Sequence, residues 1–341
     1  MSNATFDDKT LQDISNDFIQ KMIGPVVFLV ICLFLGVPGN ITVLVIYGRR
    51  YSTNVYRSII WNLALADLMF CSFGITFDIA RIFKYYSFKK RWICSMGVSL
   101  LVFGMLYSSH LLILPSVHRF RQVCMSLRPQ MTQQSIKYWI IGCFLAAIIF
   151  TSPKPELQFH ERINITNNIT GHICPITSSR PSIYAVIYSY FLLLLFASYA
   201  VILVIIYLAI GIRMYIQYQD RRRKSLNTIE ENISCKMTKI TLTVSILFTL
   251  SYLPVFLFQI TQQSIQEDKF SSVQITLLRI IEQCYVINHV ANPFIYSIFD
   301  ERFRKNFIQL VSMKFVKPEK MKTNVSASAV TASSVVLDSM I

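Results

Sequence analysis

Seven apolar stretches, each long enough to cross a bilayer, limit what this chain can fold into more than any other feature. They run over about residues 23–47, 58–82, 92–118, 134–153, 183–212, 238–261 and 274–299. Crossing roughly 30 Å of hydrocarbon takes about 20 apolar residues as a helix, which satisfies every backbone N–H and C=O within the segment. A mean hydropathy of +0.47, with 53% hydrophobic and only 15% charged residues, leaves too little polar surface for an ordinary soluble domain. The expected architecture is an all-α membrane protein, a seven-transmembrane helix bundle over residues 23–299.

Lysine and arginine set the orientation. With the N-terminus outside, the inner loops, helix ends and tail hold 21 of the 33 basic residues, so an extracellular N-terminus and a cytoplasmic C-terminus are expected. Met1 to Gln20 is polar and holds Asp7, Asp8, Asp13 and Asp17; no cleavable signal peptide is expected there, and the first run acts as its own signal. The sequons at Asn3, Asn164 and Asn168 then fall on the outer face, where glycosylation is possible, whereas Asn40, Asn232 and Asn324 fall within a helix or inside. The net charge of +15 needs no nucleic-acid partner, since most of the excess lies where anionic membrane lipid attracts it. Residues 1–22 read as an extracellular segment, 300–314 as an amphipathic helix and 315–341 as a disordered cytoplasmic tail.

The seventh run ends in Asn288 to Phe307, NHVANPFIYSIFDERFRKNF. Pro293 removes a helical N–H and frees a carbonyl one turn earlier, and Asn292 beside it is a candidate to satisfy that group. Asp67 lies in mid-membrane, where a charge must face the bundle interior and find partners; a protonated structural carboxyl is the plain alternative. Of the eight cysteines only Cys94 and Cys174 fall in outer segments, so a disulfide between them is expected. Twenty-five residues of helix, roughly 37 Å, separate Cys94 at the outer rim from Arg119 at the inner mouth. The outer loop at about 154–182 alternates through Ile163-Asn-Ile-Thr-Asn-Asn-Ile-Thr, which reads either as a hairpin turning at Asn167-Asn168 or as an irregular loop. Pro254 permits a kink in the sixth run. The five histidines are scattered, and no nucleophile–base set or metal-ligand cluster points to an enzyme.

Taken together these residues resemble the rhodopsin-like (class A) G-protein-coupled receptors over about 23–312. The resemblance rests on Gly39-Asn40, Leu63 to Asp67, Cys94 with Arg119, Trp139, Phe248 with Pro254, Asn292-Pro293-Phe-Ile-Tyr296 and the short surface helix Asp300 to Phe307. It implies that ligand binding favours a state in which the sixth helix swings outward and opens a cleft for a heterotrimeric G protein. Arg119 would sit at that cleft, with Tyr207 and Tyr296 turning inward. Asp67, Ser108, Asn288 and Asn292 would line a polar pocket that in much of the family holds a sodium ion. Four departures stand out. His118-Arg119-Phe120 replaces the family's acid-Arg-Tyr, which predicts a weakened restraint and high basal activity. Tyr199 replaces a proline, Tyr252 a tryptophan (with Ser251 for a cysteine), and Pro115 sits one turn before Arg119.

The resemblance also narrows the ligand. The position of the aminergic aspartate is Leu101, and that of the opsin lysine is Val286, so neither class fits. Asp78 with Arg81, and Arg279 with Glu282, lie three apart near the outer ends and can share a face. They form either self-satisfied ion pairs or, with Gln259, a polar mouth for a peptide end. A neuropeptide receptor is the favoured reading, supported by the Asp300–Lys305 segment's likeness to the peptide-receptor branch. Alternatives are a lipid or other small-molecule receptor, a largely constitutively active receptor and, in another class, a seven-helix transporter. The tail offers Thr323, Ser326, Ser328, Thr331, Ser333 and Ser334 as phosphosites for arrestin recruitment, and Ser339-Met-Ile341 as an ending for a PDZ protein.

Overall fold

The computed structural model describes residues 13–158, 161–166, 169–175, 182–224, 229–261 and 270–312. Asn3, Asn168 and the tail motifs therefore lie outside the described residues, as does the side chain of Gln259. The first span is α1 (Ile23–Arg50). The second joins α2 (Val55–Met69) and α3 (Ile75–Phe83) through a π-helical segment, Phe70–Gly74. The third is α4 (Arg91–Cys124) and the fourth α5 (Gln133–Thr151). A β-hairpin, β1 (Glu161–Thr166) and β2 (Ile169–Ile173), precedes α6 (Ile183–Lys224), the fifth span, and α7 (Ile229–Thr261), the sixth.

Six of these spans are single stretches long and apolar enough to cross a membrane. The seventh run is instead divided into α8 (Ser272–Glu282) and α9 (Val286–Phe299). Between them the backbone tightens to i→i−3 bonds, Gln283 N–H to Ile280 O, Val286 N–H to Gln283 O and Asn288 N–H to Tyr285 O. A last helix, α10 (Glu301–Val311), follows. The compact bundle ends at Phe307, and a second unit begins at Ile308, whose described residues close that helix.

Local sequence explains the helix starts. Asn54 Oδ1 accepts the Arg57 N–H at 2.8 Å, and Thr132 caps α5 through the Ser135 N–H. Ser271 and Gln274 form a capping box at α8, satisfying donors that a helix start leaves orphaned. Asp300 caps α10 by accepting the N–H groups of Arg302 and Phe303 on Oδ1. Its other oxygen accepts the hydroxyls of Tyr47 (3.1 Å) and Tyr51 (2.8 Å), which ties the start of α10 to α1. Burial and then the Asp300 carboxylate push the Tyr51 hydroxyl well above its ordinary pKa, so it stays a donor.

The outer surface of the spans is apolar, with Phe34 and Leu194 largely exposed, while Asn40, Asp67 and Ser108 are fully buried. Polar groups inside and apolar groups outside is the arrangement lipid demands. Gly39 lets α1 approach α9 closely: a Cβ there would stand 2.9 Å from Pro293 Cγ. Pro115 lies within the uninterrupted α4, and Tyr199 within the uninterrupted α6. In place of a proline, Tyr199 forms a 2.6 Å hydroxyl–imidazole bond to His110 of α4.

Candidate functional site: an interior polar chain and two mouths

At one end of the bundle Cys94 and Cys174 are disulfide-bonded, fixing the hairpin to the start of α4. The strands pair antiparallel from Glu161↔Ile173 to Thr166↔Ile169, with a bulge at Asn164/Thr166, and Asn164 is exposed. The loop after α3 joins them: Phe88 N–H donates to His172 O and His172 N–H to Tyr86 O. Asp78 is fully buried. It accepts Arg81 Nε (3.2 Å) and a terminal Arg81 nitrogen (3.0 Å), and the Tyr285 hydroxyl at 2.6 Å. Arg81 also reaches the Cys174 carbonyl at 3.4 Å. Arg279 pairs with Glu282 at 3.0 Å and lies over the Phe258 ring, and both partners keep some solvent access. Leu101 is buried below, against Gly74. The polar mouth therefore presents Arg279 and Glu282, with Arg81 largely buried at its edge, while Asp78 is consumed in holding Arg81 and Tyr285.

The middle of the bundle holds a continuous polar chain. Asp67 Oδ1 accepts Ser108 Oγ (2.8 Å) and His289 Nδ1 (2.8 Å), and Oδ2 accepts the Asn292 amide (2.7 Å). His289 Nε2 meets the Tyr252 hydroxyl at 3.3 Å, and the His289 ring stacks on Phe70. Tyr252 in turn packs against Phe196 and Phe248. Asn288 is buried beside them, and among the described residues neither its amide nor the Asn292 amide oxygen has a hydrogen-bond partner. The carbonyl that Pro293 frees is that of His289. It is taken by Asn40 Nδ2 of α1 at 2.9 Å, with Cys71 Sγ at 3.7 Å. The adjacent Asn292 is engaged by Asp67 instead.

At the opposite end Arg119 is buried and donates to Gln122 Oε1 (2.6 Å) and, across to the sixth span, Thr238 Oγ1 (3.0 Å). The neighbouring His118 is buried with Nδ1 unpartnered, and Phe120 is half-buried. Tyr207 bonds Ser116 of α4 at 2.8 Å and Ser245 of α7 at 3.4 Å. Tyr296 sits edge-on to Tyr47 and Phe303. Pro254 lies half-buried inside the continuous α7. Exposed Glu301 pairs with Lys305 and Lys236, whose charges hold its carboxyl below the usual glutamate range.

The structure thus gathers the described residues expected from sequence into three clusters and adds Tyr285, Thr238, Gln122, Ser116 and Ser245, none of which carried a readable signal. His289, which the sequence places beside the polar pocket as a packed, hydrogen-bonded histidine, is just that. Among the described residues there is no group of three or more His, Cys, Asp or Glu side chains suited to a metal. Of the about four lone-pair directions on a carboxylate, three are filled at Asp67 by protein donors.

Residues 39–296 match the family described as 7 transmembrane receptor (rhodopsin family), and the chain belongs to it. It is accordingly a multi-pass receptor of the plasma membrane. Similar proteins include the pyroglutamylated RF-amide peptide receptor of Rattus norvegicus, 25% identical over 302 residues, covering 82% of this chain and 67% of that one. The follicle-stimulating hormone receptor of Cairina moschata is 25% identical over 313 residues, covering 86% of this chain but 42% of that protein. Neuropeptide receptor 22 of Caenorhabditis elegans is 25% identical over 302 residues, covering 84% and 69%.

Proposed function

We propose that this receptor takes an extracellular peptide at the hairpin end and activates a heterotrimeric G protein at the Arg119 end. In this reading the N-terminus is extracellular and the C-terminus cytoplasmic. The observation that carries it is the Arg119–Thr238 bond, a contact between the third and sixth spans that outward movement of the sixth must break. Tyr207, held between Ser116 and Ser245 on the same two spans, is poised to change partners in that movement. Tyr252 links the two ends. It packs against Phe196 of the fifth span above Phe248, and its hydroxyl reaches the interior chain through His289. A ligand that shifts the outer halves of the fifth and sixth spans repacks this aromatic set and so biases the sixth span.

The peptide assignment is supported by the disulfide-tethered hairpin beside Arg81, Arg279 and Glu282, which offers charge of both signs around a rim. Two of the similar proteins are named as peptide receptors. A panel of peptides with free and amidated ends, applied to cells carrying sensors for each G-protein class, tests both halves. A peptide response lost in Glu282→Gln or Arg279→Gln at unchanged surface expression is the expected result. A response to lipids alone, insensitive to both changes, would replace the peptide with an apolar ligand lying over Leu101. Solute uptake without nucleotide exchange would overturn the receptor mechanism.

A further inference from the structure

We infer that His289 stands where the family's interior cation would, so that the balance between this receptor's states does not respond to sodium. A carboxylate only accepts hydrogen bonds, so His289 Nδ1 at 2.8 Å from Asp67 Oδ1 is the N–H side of the ring. Nε2 lies 3.3 Å from the Tyr252 hydroxyl, so both ring nitrogens are partnered. Two further donors, Ser108 and Asn292, complete the shell of the carboxylate. A small hard cation takes oxygen ligands, and a ring N–H aimed at the anchoring carboxylate excludes it from that face. Asn288 and Asn292 do keep amide oxygens without partners among the described residues. Those dipoles alone do not anchor a cation whose charge partner is already screened by three donors.

Both His289 and Asp67 are completely buried. The ring is also clamped, stacked on Phe70 at 3.8 Å, with its own carbonyl held by Asn40. Displacing it means breaking these contacts together, whereas the histidine itself is covalently present and loses no freedom of translation. The consequence reaches the sixth span. Where in much of the family this pocket holds a sodium ion, here Asp67, His289 and Tyr252 form a fixed chain from the second span through the seventh to the sixth. Movement of Tyr252 is therefore felt at Asp67 directly.

The test uses the purified full chain in detergent, melted in sodium chloride and in N-methylglucamine chloride at equal ionic strength. The wild type is expected to melt at the same temperature in both. His289→Ser and His289→Ala, which open the face of Asp67, are expected to gain a sodium-specific rise of about 2 °C or more, abolished by adding Asp67→Asn. A sodium-specific rise in the wild type that Asp67→Asn removes would overturn the inference. Sodium indifference in both histidine variants would also overturn it, by showing that His289 is not what excludes the ion. The wild-type comparison decides the first point even if a variant fails to fold. Melting requires neither ligand nor G protein, so failure here leaves the proposed peptide and coupling roles standing.

Discussion

The two mouths of the bundle hold their charges differently. At the hairpin end Asp78 and Arg81 neutralise one another inside the protein, with Tyr285 completing the carboxylate, and Arg279 is paired with Glu282. At the other end the partners described for Arg119 are the neutral oxygens of Gln122 and Thr238. Losing one member of a buried ion pair strands the other at several kcal/mol, whereas a hydrogen bond from a charged group to a neutral oxygen contributes less. The first mouth is built to keep its shape, and the second carries a contact between the third and sixth spans that their separation would break.

Breaking the comparison at its stronger side should have the largest effect. Asp78→Ala leaves Arg81 buried and charged and removes the acceptor for Tyr285, so a loss of about 3–5 kcal/mol is expected, read as poor surface expression and a lower melting temperature. Normal expression and melting would show that the hairpin end is less dependent on this pair than its burial indicates. The next largest effect lies between the mouths. Asn40→Leu leaves the His289 carbonyl, already deprived of the Pro293 N–H, with only the weak Cys71 thiol, at a cost of about 1–3 kcal/mol in thermal unfolding. Asn292 cannot rescue it while it is held by Asp67.

The smallest effect belongs to the exposed Glu301–Lys305–Lys236 contacts. The bound state of Glu301 is the ionised one, so its pKa is depressed and its contribution is present above the usual glutamate range. That contribution is lost as the pH falls through the lowered pKa. Screening by water and salt makes it slight. Glu301→Gln should therefore leave melting at neutral pH indistinguishable from wild type, and a clear fall would mean that α10 is anchored by these charges rather than by Asp300.

Much of this was legible in the sequence. The seven apolar runs, the Cys94–Cys174 disulfide and the ordered motifs fixed the class, because span length and motif spacing are local properties of the chain. The alternating residues around Asn164 left a hairpin and an irregular loop both open, and the strands pair as a hairpin. Partner choice was less legible, because it depends on contacts between distant segments. Asn40 and the His289 carbonyl are separated by 249 residues and Asp78 and Tyr285 by 207. Pro293 told which carbonyl was freed, but not which side chain would arrive. The break at Gln283–Tyr285 was also hidden, since no proline or glycine marks it in the sequence. At His118 the missing acid pointed to a weakened restraint on Arg119; Thr238, unremarkable in sequence, is a partner that only the crossing of α4 and α7 brings within reach.

The central claim is that the Arg119–Thr238 contact helps hold the sixth span closed. It is tested most directly by nucleotide exchange on a G protein, without ligand, driven by wild type and by Thr238→Val at equal surface density. Removing an oxygen that accepts from a buried guanidinium should shift the balance by about 1.5–3 kcal/mol, raising basal exchange roughly tenfold or more. Exchange unchanged or lowered in Thr238→Val would contradict the account.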